Sequence, residues 1–302
     1  MTGQNSGSRL GLLQALIACT FWGVMPIYFK LLQSIPPLEV VAHRVIWSVP
    51  LLIVILWLRK NLTGLKTALS DPKILRFLLL SSIFIAANWL IYVWAVQEKH
   101  VLAASLGYFI SPLLSVFLGS IVLKEKLSRN QWVAVAIAAV GVSVLAVEAW
   151  QTLWISLMLA GSWGLYSLIR KIAPVGPMVG LTVETGLLFP FFIAYLIWLA
   201  TSSTGTGFGA SLPIDALLIG GAMVTAIPLL LFASAVQKIS LTTMGLMQYV
   251  APMMQFTIGV FVYNEPLTTS HIVCFGLIWI SLAIFSADAW AGSARKKTAP
   301  AA

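Results

Sequence analysis

The sequence predicts an all-α membrane protein of ten transmembrane helices, built as two inverted five-helix repeats with both termini cytoplasmic. Three observations predict it: the composition, the spacing of the apolar runs, and matches between the two halves at one offset. Of 302 residues, 60% are hydrophobic and only 9% charged, with a mean hydropathy of +0.96. A water-facing surface takes about 25% charged residues, so the bilayer must be the main solvent of this chain. Lys and Arg outnumber Asp and Glu by 18 to 9, yet they sit in short gaps between apolar runs. Phosphate tracking needs a clustered basic footprint, which excludes nucleic acid as a partner. Cys19 and Cys274 lie inside apolar runs with no CxxC or Cys/His spacing, so neither a disulfide framework nor a metal site is expected.

A helix needs about 20 mostly apolar residues to cross the hydrocarbon core. The runs that qualify are 10–30, 38–58, 75–96, 102–123, 131–149, 152–169, 178–200, 214–236, 241–262 and 270–288. Residues 1–9 are polar, rich in Gly and Ser, and expected to be a disordered cytoplasmic segment. The run after them is too long for a signal-peptide core and lacks an Ala-x-Ala site, so it reads as a retained span. Backbone groups in lipid must pair within their own segment, which makes these runs helices. Their length also separates them from barrel strands of about 10 alternating residues.

Charge sets the orientation. With the N-terminus inside, all of the 18 Lys and Arg residues except Lys30, Arg44 and Lys99 fall in cytoplasmic segments. Residues 289–302 form a basic cytoplasmic tail suited to anionic lipid headgroups.

The halves 10–149 and 150–288 match at a constant offset of 140 residues. Tyr108-Phe-Ile-Ser-Pro112 pairs with Gln248-Tyr-Val-Ala-Pro252, Glu125 with Glu265, Val96-Gln97 with Val236-Gln237, and Pro50 with Pro190. Trp22-Gly23 pairs with Trp163-Gly164 after a one-residue slip. Five spans per half is an odd number, so the second half enters the membrane upside down. Inverted repeats recur among secondary transporters, where one midplane site is reached from either side.

Pro in the fourth and ninth spans, each followed by Glu125 or Glu265, resembles the EamA branch of the drug/metabolite transporter superfamily. The stretches Phe21–Lys30, Glu39–Trp47 and Glu98–Leu114 are similar to its RarD group, whose members are named for chloramphenicol sensitivity. The likeness covers roughly residues 10–288. It implies a small-molecule transporter of the bacterial inner membrane.

Charge within a span costs about 2.5–3.5 kcal/mol on insertion scales, so Arg44 and Glu184 stand out. They occupy matching positions in the two halves, and two roles are expected: a charge pair that changes partner during the cycle, or proton coupling through Glu184. Static packing is the alternative. His43 points about 100° away from Arg44 on a helix, which favours a hydrogen bond to a neighbouring helix over a pH-sensitive role. Ser105, Tyr108, Ser111, Pro112 and Ser115 share one helix face, as do Gln248, Pro252 and Gln255. The two prolines free a carbonyl and kink their helices. These residues, with Asn88, Tyr92, Trp22, Trp163 and Tyr166, form the expected substrate cavity, its aromatic walls suited to an amphipathic or aromatic solute. Helix–helix hydrogen bonding is the competing role.

No GxxxxGK[ST] loop is present, so the expected machine is a secondary transporter without cofactors or catalytic residues. A polytopic membrane enzyme would need a nucleophile–base or metal set, and the acids are scattered. A sensor or accessory subunit would need a docking domain, for which the loops are too short. The expected partners are a small-molecule solute and membrane lipid, with proton coupling and a homodimer left open.

Overall fold

The structure, a computed structural model, describes the backbone of residues 2–203, 205–263 and 268–298. Twelve α-helices occupy it: α1 Thr2–Leu31, α2 Pro37–Leu58, α3 Leu62–Ser70, α4 Pro72–Gln97, α5 Val101–Ile121, α6 Arg129–Glu148, α7 Leu153–Ile172, α8 Pro177–Thr201, α9 Leu212–Lys238, α10 Leu241–Met247, α11 Val250–Tyr263 and α12 Thr269–Thr298. Ten segments are long and apolar enough to cross a membrane, with α10 and α11 together forming the ninth and α3 lying outside the set. Their bounds agree with the apolar runs to within a few residues.

Two sequence expectations need correction, and one element was not foreseen. The segment up to Arg9 is helical from Thr2, continuous with the first span. The 59–74 connection holds α3, which packs against α8 and α4. The two expected proline kinks differ: α5 runs unbroken through Pro112, whereas the ninth span is interrupted at Gln248–Tyr249. Proline's ring clashes with the carbonyl four residues back, and for Pro252 that residue is Gln248. Glu265 lies outside the described residues.

Helix ends follow local chemistry. Ser128 and Gln131 form a reciprocal capping box at the start of α6. The Asp71 carboxylate accepts from the backbone of Lys73 and Ile74 at the start of α4. Side chains that leave the bundle outward are large and apolar, such as Trp57, Phe191 and Phe261, as a lipid-facing surface requires. Trp57, Trp150 and Trp154 are exposed near span ends, where interfacial anchors belong.

Helix contacts run α1 with α9 and α11, α2 with α8 and α9, α4 with α7 and α8, α5 with α7 and α10, and α6 with α12. Exchanging the first five spans for the second five converts this set into itself. The α5–α10 crossing is close because position 245 is Gly: a Cβ there would stand 2.7 Å from the Pro112 carbonyl oxygen. Such small-residue crossings let helices pack where lipid supplies no hydrophobic drive between them. The α6–α12 pair is tied at both ends, by Ser128 and Asn130 on Asp288 and by Ser270 on Glu148.

Candidate functional site

A cavity of about 530 Å³ lies among α1, α2, α4, α5, α7 and the α10–α11 break. It runs from mid-bundle to the α1–α2 connection, where Gln33, Ile35 and Pro37 form its rim. That size suits a small organic molecule.

Ten of the residues singled out in the sequence line it: Trp22, Arg44, Asn88, Tyr92, Tyr108, Ser111, Trp163, Gln248, Pro252 and Gln255. The walls are aromatic. Trp22 meets Trp163 edge-on at 5.2 Å between centroids, and Tyr92 lies 5.8 Å from Tyr108. Polar groups are fixed in place. Asn88 Nδ2 donates to the Leu159 carbonyl at 2.9 Å and Ser162 Oγ at 3.1 Å. Gln248 Oε1 accepts from Trp163 Nε1 at 2.6 Å, and its Nε2 donates to Ser115 Oγ at 3.3 Å. Gln255 Nε2 donates to the Trp22 carbonyl at 2.9 Å.

Ser115, Pro112 and Tyr166 stand behind the wall rather than on it. Ser115 donates to the Ser111 carbonyl at 3.0 Å and so positions Gln248 from behind. Tyr166 is fully buried beneath Phe232 and Trp163. Pro112 turns its carbonyl toward Gly245. Helical periodicity selects a face but not how deep along that face the cavity reaches.

Arg44 and Glu184 do not meet. Arg44 reaches α9, where its Nε donates to Thr225 Oγ1 at 2.7 Å, and its guanidinium carbon lies 5.6 Å from the Phe29 ring and 5.8 Å from Trp89. Glu184 turns instead toward α4 and α7. It accepts from Ser81 and lies 3.3 Å from Arg170 Nη1, in a cluster that is almost wholly buried. Arg170 Nη2 donates to the Pro177 carbonyl at 3.2 Å. A Cβ at position 180 would collide with this guanidinium, so Gly180 makes room for it. Sequence reasoning missed Arg170, counting it with Lys171 as flanking charge. The signal was available, since the seventh span carries an acid needing a buried cation.

Further polar contacts join the helices at the end of the bundle opposite the rim. Glu125 takes the α10 N-terminus, accepting from Leu241 N at 2.7 Å, Thr242 N at 2.9 Å and Thr242 Oγ1 at 2.7 Å. Lys171 donates to the Ile239 carbonyl, and Gln237 Nε2 to the Val175 carbonyl at 2.9 Å.

His43 is absent from the cavity lining. Its Nδ1 accepts from Trp47 Nε1 at 3.2 Å, its ring stacks on Phe208, and Nε2 lies 3.8 Å from Glu39. His100 packs against Trp94 and His271 bonds Thr268. Among the described residues no group of His, Cys, Asp or Glu could hold a metal ion.

Ten apolar spans enclosing a solute-sized cavity define a multi-pass membrane protein with an internal cavity. The chain belongs to the EamA-like transporter family, whose pattern matches residues 9–147. It is 39% identical to Protein RarD of Escherichia coli K12 over 282 residues, covering 93% of this chain and 95% of that one. It is 38% identical to an uncharacterized transporter of Vibrio cholerae serotype O1, covering 95% of each. A relative from Pseudomonas aeruginosa, 27% identical, bears the name chloramphenicol-sensitive protein RarD. One crystal structure of a chain 16% identical shares the fold with a TM-score of 0.72, covering 91% of this chain and 96% of that one. The protein is therefore a multi-pass transporter of the bacterial inner membrane.

Proposed function

We propose that this protein is a secondary carrier moving a small organic solute by alternating access between two inverted five-helix repeats. The observation that carries the reading is the one-sided cavity: about 530 Å³ reaching one end of the bundle, with a buried ionic cluster toward the other. Contacts that map onto themselves when the halves are exchanged support the repeat. Exchanging the halves' conformations then closes the rim and opens the opposite end.

In this reading the basic end is cytoplasmic, as the distribution of Lys and Arg favours, and the cavity faces outward. Arg170, Glu184, Ser81, Lys171 and Glu125 act as the inner gate. Separating Arg170 from Glu184 inside the bundle is costly unless water or another partner replaces the contact, which makes the gate discrete rather than gradual.

Flux into proteoliposomes holding the purified protein, with and without an imposed pH gradient, tests the carrier. Saturable flux of a small organic solute is expected, abolished by Asn88→Leu or Trp163→Ala in inserted protein. Linear flux unaffected by both changes would sink the reading. Flux that follows the pH gradient would add proton coupling, with Glu184 the first group to neutralise.

A further inference from the structure

The cavity's charges carry a further reading, which rests on the carrier function just proposed. Two charged residues line it, Arg44 and Lys30, and both are cations. Lys30 Nζ sits 3.8 Å over the Tyr263 ring. Among the described residues no Asp or Glu forms an ion pair with either one. Glu39, an acid near the rim, is taken up by Thr206 Oγ1 at 2.6 Å and the Gly207 N–H at 2.8 Å.

Arg44 is 9% exposed and, among the described residues, anchored by one nitrogen, the Nε on Thr225. The rings of Phe29 and Trp89 flank the guanidinium. A cation kept this deep without a carboxylate contrasts with Arg170, which has Glu184 against it. Desolvating a guanidinium without a counter-charge is costly, and ionisable groups inside a membrane bundle mark substrate pathways. A guanidinium held by Nε keeps its terminal fork for a planar anion, which it meets with two parallel hydrogen bonds.

We propose that the solute is an organic anion, a carboxylate joined to an aromatic or apolar body, with the carboxylate on Arg44 and the body packed against the wall that Trp22 and Trp163 form together. Lys30 near the rim adds attraction as the anion enters. A cationic solute meets two like charges and no acid to offset them.

Tryptophan fluorescence of the full-length protein in nanodiscs reads the binding, since Trp22, Trp89 and Trp163 line the cavity. The probes are 3-phenylpropanoate, its amide and 3-phenylpropylamine, matched in shape and differing in charge. The carboxylate is expected to bind at least tenfold tighter than the amide, and the amine weakest. Arg44→Gln should remove that preference, whereas Arg44→Lys should keep part of it with the charge but without the fork. Amide or amine binding as tightly as the carboxylate overturns the anion assignment and leaves the cavity a solute site. Carboxylate binding unchanged in Arg44→Gln overturns the role of Arg44. Silence from all three probes overturns the assignment and counts against the carrier function beneath it.

Discussion

Two arginines lie inside the bundle, and their surroundings differ. Arg170 is completely buried with Glu184 3.3 Å away, a backbone carbonyl on Nη2, and Gly180 cleared to admit it. Arg44 is tethered through Nε to Thr225 and turns toward the cavity among aromatic rings. One charge has an acid of the fold against it, and the other has none among the described residues. On the readings proposed above, the first arginine is a lock and the second a receptor.

The largest expected effect breaks the lock. Glu184→Ala leaves Arg170 buried without its acid, at a cost of about 3–5 kcal/mol, read as a fall in the thermal unfolding temperature in detergent. Converting both partners, Arg170→Met with Glu184→Leu, should recover most of that loss because no charge remains to desolvate. Arg44→Gln, by contrast, should shift unfolding little while lowering solute flux. If Arg44→Gln destabilises as strongly as Glu184→Ala, the division between lock and receptor fails.

A smaller effect sharpens the comparison on the Arg170 side. Gly180→Ala places a methyl where the guanidinium lies, an overpacking expected to cost about 1–3 kcal/mol. Thermal unfolding checks it, and the Arg170→Met background should relieve the cost. An equal cost in that background would mean that Gly180 serves the helix contact and not the arginine. The smallest effect concerns Glu125, which caps α10 through three hydrogen bonds. Glu125→Gln keeps one acceptor and loses the charge favoured at a helix N-terminus, for about 1 kcal/mol. Faster amide exchange at Leu241 and Thr242, with the Arg44 region unchanged, is the expected readout.

All ten spans could be read from the sequence, because an apolar run of about 20 residues has few other uses. Most of the cavity was legible too, since polar residues at helical spacing such as Tyr108 and Ser111, or Gln248 and Gln255, have to face something other than lipid. Arg44 and Glu184 stand apart in this structure for a definite reason. An offset of 140 gives two residues matching positions, and matching positions meet matching neighbours. Arg44 on α2 meets α9, and Glu184 on α8 meets α4. Contact between them would require both side chains to point at each other across the α2–α8 crossing. Arg170 was hidden by its place beside Lys171 at a span end, where basic residues are ordinarily flanking charge. α3 was missed because a nine-residue amphipathic helix carries too little signal inside a polar connection.

The interruption of the ninth span at Gln248–Tyr249 has a mechanical consequence. Gln248 is at once the first residue of the joint, a wall of the cavity, and the link between Trp163 on α7 and Ser115 on α5. Its partner position, Tyr108, sits in a helix with no joint at all. In the proposed carrier, a solute that competes for the Gln248 amide would act at the joint itself, between α10, clamped by Glu125, and α11, held to α1 through Gln255. Occupancy of the cavity and the angle at this joint would then be read through one side chain.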